Sequence, residues 1–338
     1  MTSKERCLAV ISGEPTDRVP VFPLLMFFAL QRAGFTYREF ASNGRAMAEA
    51  QLNVRERFGI DAITACSDAF RIAADLGGDI VFPEDNPPFL TTPLVTSSSD
   101  IDRLPRPDAA AAGGRMADRA LGVRDMVAAA GDDCLVLGWV DMPFAEACSL
   151  CGVAEFMLLL YDQPLLAHRL LDALTDIVVD FALLQLEAGA PMIGAGDAAA
   201  SLIGPELYRE FALPYESRAC AAVHDAGGLV KLHICGNTTA SLRDMARAGA
   251  DLYSVDHLVP LTSARDVFGE AGLCYKGNLD PVADMLQATP EHCLERALAC
   301  IHLAEGTPYM VSPGCEVPGE TPDAVFEALC EAPIRASS

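Results

Sequence analysis

The sequence is poor in cations. Only three lysines occur, Lys4, Lys231 and Lys276, and Lys plus Arg total 24 against 47 Asp plus Glu, for a net charge of −23. Such a balance lacks the clustered positive charge that phosphate backbones require, which excludes a sequence-independent nucleic-acid surface. Long apolar runs are missing too: Ile177 to Leu186 is interrupted by Asp180 and Gln185 and falls short of the roughly 20 apolar residues of a spanning helix. Residues Met1 to Arg6 lead into a short amphipathic stretch without the apolar core and small-residue cleavage site of a secretory signal. The expected location is the cytoplasm, with no membrane partner. A glycine-rich dinucleotide turn is also absent, since Gly194-Ala195-Gly196-Asp197 has no third glycine at the required offset.

Apolar residues make up 51% of the 338 positions, enough to bury a large core. Twelve cysteines are present, most lying singly in apolar segments, as Cys66, Cys134, Cys220 and Cys300 do. A chain this long folds without a disulfide framework, so most of them read as reduced core residues.

Eight β-branched-rich runs alternate with segments of helical period, the pattern of a parallel sheet with helices crossing over it. The runs are Val19 to Leu25, Ala62 to Cys66, Cys134 to Val140, Pro191 to Asp197, Gly228 to Cys235, Asp251 to His257, Leu273 to Asp280 and Tyr309 to Cys315. Helices are expected over Gly44 to Phe58, Val153 to Ala188, Pro205 to Ala226, Thr238 to Ala248, Ser263 to Glu270 and Pro290 to Glu305. The count of eight predicts an α/β fold of the (βα)8 TIM-barrel type, one domain over 1–338, with a doubly wound open sheet as runner-up. Residues 82–133, rich in proline and carrying Ser97-Ser98-Ser99, form an excursion with a helix near Met116 to Ala130 that would cover one end of the barrel.

His233-Ile234-Cys235-Gly236-Asn237 ends the fifth run. Residues two apart on a strand share a face, so His233 and Cys235 point the same way, into the barrel if Leu232 and Ile234 face the helices. A nitrogen and a soft sulfur at the C-terminal mouth make half a zinc site. The last run ends Ser312-Pro313-Gly314-Cys315, where Gly314 would bring Cys315 over the centre. Three such ligands leave one position open, the catalytic pattern. The competing reading is a buried histidine with two inert cysteines.

Other candidates are weaker. Cys148-Ser149-Leu150-Cys151 has no second pair or nearby histidine, and His168, His292 and His302 sit in helical segments, while His224 and His257 stay open. Lys231 has the parity of His233, so it should point inward and need a carboxylate, with Asp197, Asp256 and Asp280 as candidates. It is either half of a structural ion pair or a catalytic lysine. Among acids at strand ends, Asp280 before Pro281 reads as a helix cap, and Asp68 and Asp197, beside small residues, are the functional candidates.

The stretch from Lys4-Glu5-Arg6 through Asp17-Arg18-Val19-Pro20, with Gly59-Ile60-Asp61-Ala62, Ser67-Asp68, Phe211-Ala212-Leu213-Pro214-Tyr215 and Gly277-Asn278-Leu279-Asp280-Pro281, resembles the uroporphyrinogen decarboxylase superfamily over nearly the whole chain. The resemblance implies a (βα)8 barrel. True decarboxylases carry arginines after the first strand to hold a polycarboxylate, where this chain has Met26-Phe27-Phe28-Ala29-Leu30; their tyrosine is matched by Ser149 and their Gly-His by Gly314-Cys315. The zinc-dependent corrinoid-linked methyltransferases of the superfamily show His-x-Cys-Gly-Asn and a later Ser-Pro-Gly-Cys. His233, Cys235 and Cys315 match their zinc ligands one for one.

That branch implies methyl transfer from a methylated corrinoid to a thiol such as coenzyme M, with Zn2+ generating the thiolate. Asp68 or Asp197 would take the thiol proton or orient the acceptor. The corrinoid would come on a partner protein, since the chain has no Asp-x-His-x-x-Gly segment. A metal-free decarboxylase retaining Asp68 and a non-catalytic corrinoid- or tetrapyrrole-binding module are the alternatives.

Overall fold

Of the eight expected runs, seven form strands of one curled parallel sheet. The structure is a computed structural model describing residues 1–337. The strands are β1 (Ala62–Thr64), then an antiparallel hairpin of β2 (Ile80–Val81) and β3 (Phe89–Leu90) within the excursion, and β4 (Leu135–Asp141), β5 (Met192–Gly196), β6 (Leu229–Ile234), β7 (Leu252–Val255), β8 (Cys274–Leu279) and β9 (Tyr309–Pro313). The parallel sheet runs β1-β4-β5-β6-β7-β8-β9, chain order without a reversal.

The expected first strand, Val19 to Leu25, is the exception. It contributes only two isolated parallel bridges, Val21 to Val311 and Leu24 to Glu316. Pro20 and Pro23 supply no N–H, so a continuous ladder is impossible there. The segment still bonds to both edges of the sheet: Phe22 N–H donates to the Val311 carbonyl, and Asp61 N–H, just before β1, donates to the Val21 carbonyl.

Side chains inside the curl form a cluster of Phe22, Ala62, Leu135, Leu137, Met192, Leu252, Cys274 and Met310, closed from below by Cys7 and Val10 of the helix Ser3–Ile11. That helix is held by the carboxylate of Asp61, fully buried, which accepts from Arg6, from both terminal nitrogens of Arg18 and from Val21 N–H at 2.7 to 2.9 Å. Higher up, Trp139 lies across Gly194, where a Cβ would come within 2.5 Å of the indole ring.

The helix Gly44–Phe58 matches its expected bounds, capped by Asn43 and ended by left-handed Gly59. Two expected helices are broken by proline. Val153 to Ala188 divides into Val153–Asp162 and Pro164–Glu187, because the residue before a proline leaves helical geometry, as Gln163 does at φ −144°. Pro205 to Ala226 divides at Ala212, two residues before Pro214. Within the excursion the helix Arg115–Ala130 packs on Gly44–Phe58, where Gly122 meets Gly44 backbone to backbone. Among the described residues no single helix is long and apolar enough to cross a membrane.

Candidate metal centre

β6 presents His233 toward the inside of the sheet, and Cys235 follows directly after its end. The neighbouring strand fixes the imidazole: His233 Nδ1 lies 3.1 Å from the Ser254 carbonyl oxygen, a pure acceptor, so Nδ1 carries the proton and Nε2 keeps its lone pair free. Nε2 is 3.1 Å from Cys235 Sγ and 3.8 Å from Cys315 Sγ, and the two sulfurs are 3.6 Å apart. A tetrahedral zinc with ligands at about 2.3 Å (S) and 2.0 Å (N) spaces nitrogen and sulfur about 3.5 Å and the two sulfurs about 3.8 Å apart. Two of the three separations lie within about 0.3 Å of these values and the His233–Cys235 pair is about 0.4 Å short, so small side-chain movements bring the three donors onto one soft divalent ion.

Cys315 reaches this point because of Gly314. A Cβ there would stand 2.2 Å from the backbone nitrogen of His257, so only glycine lets β9 run this close to the chain leaving β7. Asp256 braces the other side, accepting from Gly236 N–H and Leu258 N–H at 2.9 Å. The hydrogen bond from Cys235 holds the Cys315 thiol down to about 4 against burial, and the same contact together with burial pushes Cys235 up. Of the two sulfurs, Cys315 is the one whose thiolate form the contact favours.

Neither aspartate expected to join the chemistry bonds through its carboxylate to the trio, although Asp197 N–H donates to the His233 carbonyl oxygen at 2.9 Å. Asp68 is clamped by Arg115 through two 2.8 Å bonds and also accepts from Ser67 and from Phe70 N–H. Burial would raise its carboxyl, but the Arg115 guanidinium overrides this and holds it well below the usual range. Asp197, fully buried, accepts from Ala145 N–H at 2.8 Å in the first turn of the helix Pro143–Cys151, and burial followed by the charge of Glu216 pushes its carboxyl up. Asp280 accepts from Val282 and Ala283 N–H, the cap expected of it.

No carboxylate pairs with Lys231 among the described residues, contrary to the expectation from strand parity. Asp197, Asp256 and Asp280 bond to backbone N–H groups elsewhere, and Lys231 Nζ, fully buried, has no hydrogen-bond partner among the described residues. It is seated instead between the rings of Trp139 and Phe22, 4.8 and 5.1 Å from their centroids. Burial pulls it down to about 8. The aromatic faces offer a cation the partner that parity reasoning assigned to an acid.

Two further groupings emerge only in the folded chain. Glu316 caps the helix Phe27–Ala33 through a 2.7 Å bond from Phe27 N–H, and burial pushes it up to about 7. Arg71 pairs with Asp141 beside a buried Glu146 whose oxygens find no partner among the described residues. Neither shows a spacing signal, because the partners come from distant segments. Cys148 and Cys151 are buried thiols pushed up by burial, and Cys151 lines a cavity of about 360 Å³ with Val95, Ile101, Glu155 and Leu159, which none of the trio lines. His168, stacked on Phe211, and His292, bonded to Asp284, are interhelix residues as expected. His224 pairs with Asp251, which precedes β7 and so lies at the end opposite the trio.

With this geometry in view, residues 2–335 match the family described as uroporphyrinogen decarboxylase (URO-D). The chain belongs to that family. Its relatives include methylcobamide:CoM methyltransferase MtbA of Methanosarcina acetivorans, 28% identical over 98% of this chain and 97% of the relative. The methylated-thiol–coenzyme M methyltransferase of Methanosarcina mazei is 31% identical over 99% of this chain and 90% of the relative, and the uroporphyrinogen decarboxylase of Myxococcus xanthus is 28% identical over 82% and 81%. A solved methyltransferase from Methanosarcina mazei superposes over all of both chains with a TM-score of 0.91 at 24% identity, so this family member shares that fold.

Proposed function

We propose that this chain is a zinc-dependent methyltransferase that moves a methyl group from a methylated corrinoid, delivered by a partner protein, to a thiol acceptor. The observation that carries the reading is the trio of His233, Cys235 and Cys315, whose donor atoms lie 3.1 to 3.8 Å apart and can converge on one tetrahedral ion with a position left over. Relatives named for methylcobamide and coenzyme M support the donor and acceptor classes.

Zinc, when bound by these three residues, supplies a Lewis acid that favours a thiolate over a thiol near neutral pH. The protein's part is positional. Ser254 fixes the His233 tautomer, Gly314 lets Cys315 approach, and Asp256 holds the turn after Cys235. The acceptor thiol gives its proton to solvent, its sulfur pair forms the new bond to the methyl carbon, and the carbon–cobalt pair leaves with cobalt(I). Asp68 and Asp197 serve in this reading as positioning residues, the first anchoring Arg115 and the second the helix Pro143–Cys151.

The finer architecture we read as a (βα)8 barrel in one domain, with Val19 to Leu25 in the eighth place; its bonds to Val311 and from Asp61 support this. Twelve free cysteines support a reducing compartment, the cytoplasm.

The test is metal analysis combined with demethylation of methylcobalamin in the presence of coenzyme M or another small thiol. We expect close to one zinc per chain and thiol methylation that chelation abolishes. A metal-stripped protein that still transfers methyl groups would overturn the reading, as would release of carbon dioxide from uroporphyrinogen.

A further inference from the structure

Lys231 and His233 lie two apart on β6, with Lys231 one layer deeper inside the curl. Its Nζ is fully buried, held by the faces of Phe22 and Trp139, and bonded to no oxygen among the described residues. The other interior lysine differs. Lys276 Nζ donates to the Phe22 carbonyl at 2.9 Å and to Ser312 Oγ at 2.7 Å. A buried ammonium without a counter-charge is heavily penalised, and aromatic faces offset only part of that penalty.

The charge count at the trio indicates what completes it. A divalent ion with two thiolates and a neutral imidazole is neutral, and an incoming acceptor, once deprotonated, adds one negative charge. Low-dielectric surroundings make that surplus costly unless a cation stands nearby. We propose that Lys231 is a positioning residue whose ammonium is the counter-charge for the anionic sulfur of the thiol acceptor. It favours an anionic sulfur ligand over a neutral one at the open position. This rests on the metal-dependent methyl-transfer reading. The bond change is a simple ionisation, R–SH to R–S⁻, with the proton leaving to buffer and no redox partner required.

The experiment uses full-length protein loaded with Co2+, whose absorption reports thiolate and imidazole ligation separately. Affinities for 2-mercaptoethanol and for imidazole are measured at one pH in the wild type and in the Lys231→Met, Lys231→Gln and Lys276→Met variants. The Lys231 variants should each hold one metal and lose at least tenfold in thiolate affinity with imidazole affinity unchanged, while Lys276→Met leaves the ratio as in the wild type. Equal loss for both ligands, or no loss for the thiol, in whichever Lys231 variant folds with its metal overturns the role of Lys231 while the methyl-transfer reading stands. A wild-type metal protein that does not ligate thiol overturns both.

Discussion

Cys235 and Cys315, eighty positions apart in the chain, place their sulfurs 3.6 Å from each other, and that contact lowers the Cys315 thiol while raising Cys235. The two cysteines therefore differ in reactivity despite their adjacency. In chelator-treated protein at about pH 6, brief exposure to iodoacetamide should label Cys315 first, because the thiolate is the nucleophile and the thiols of Cys7, Cys66, Cys134 and Cys220 are pushed up by burial. Peptide mass spectrometry reads the site, and added zinc should suppress labelling. Preferential labelling of Cys235 would contradict the assignment.

Gly314 offers a way to disturb the trio without removing a ligand. A Gly314→Ala change puts a Cβ against the backbone nitrogen of His257, and backbone rather than a flexible side chain must yield. We expect zinc affinity to fall at least tenfold, comparable to losses from disturbing groups that orient metal ligands, with about 1–3 kcal/mol of stability lost to overpacking. Competition with a chromophoric chelator and urea melts measure the two effects. Wild-type zinc affinity in the variant would show that Cys315 is free to move.

The legible part of this molecule was periodic. Strand parity alone put Lys231 and His233 on one face, and the ends of β4 through β9 fall within a residue or two of the expected runs. What escaped the sequence depended on chemistry between distant segments. Val19 to Leu25 has strand composition, but Pro20 and Pro23 reduce it to two bridges. Strand parity points Lys231 toward a carboxylate, whereas two rings hold it, one from β4 and one from that same proline-rich segment. Asp68 and Asp197 sit at strand ends as expected of functional acids, yet Arg115 of the excursion and the N-terminus of Pro143–Cys151 occupy them. No spacing rule links position 68 to 115.

Glu216 contributes to the pH dependence of stability. Burial pushes its carboxyl up to about 7 despite the hydrogen bond from Tyr208, and Asp197 beside it is raised as well. In the unfolded chain Glu216 loses its proton near its ordinary value of about 4.3, whereas the folded protein retains it. Between those values the native state binds more protons, so stability is fully present below about pH 4.3 and declines as pH rises through about 7. The Glu216→Gln variant should flatten this decline, by up to about 3 kcal/mol at pH 8 relative to wild type. Urea midpoints at pH 5 and pH 8 give the comparison, and equal slopes in both proteins would rule the carboxyl out.

Asp61 closes the opposite end of the sheet. Its buried carboxylate receives Arg6, Arg18 and Val21 N–H, joining the N-terminal helix, the proline-rich segment and the start of β1 at one point. Arg6 has a second acid in Asp17, but Arg18 has no other carboxylate within ion-pair distance among the described residues. An Asp61→Asn change leaves the guanidinium groups short of a counter-charge in a buried setting, a loss of about 3–5 kcal/mol for a broken buried pair. A double-mutant cycle with Arg18→Met separates charge from packing: if the ion pair carries the effect, the second substitution should recover part of the loss, since it removes the stranded cation. Additive losses in denaturant melts would assign the effect of Asp61 to its bonds with Arg6 and Val21 instead. Because the Val21 bond holds the segment spanning β9 and β1, zinc retention at the distant trio should then fall together with stability.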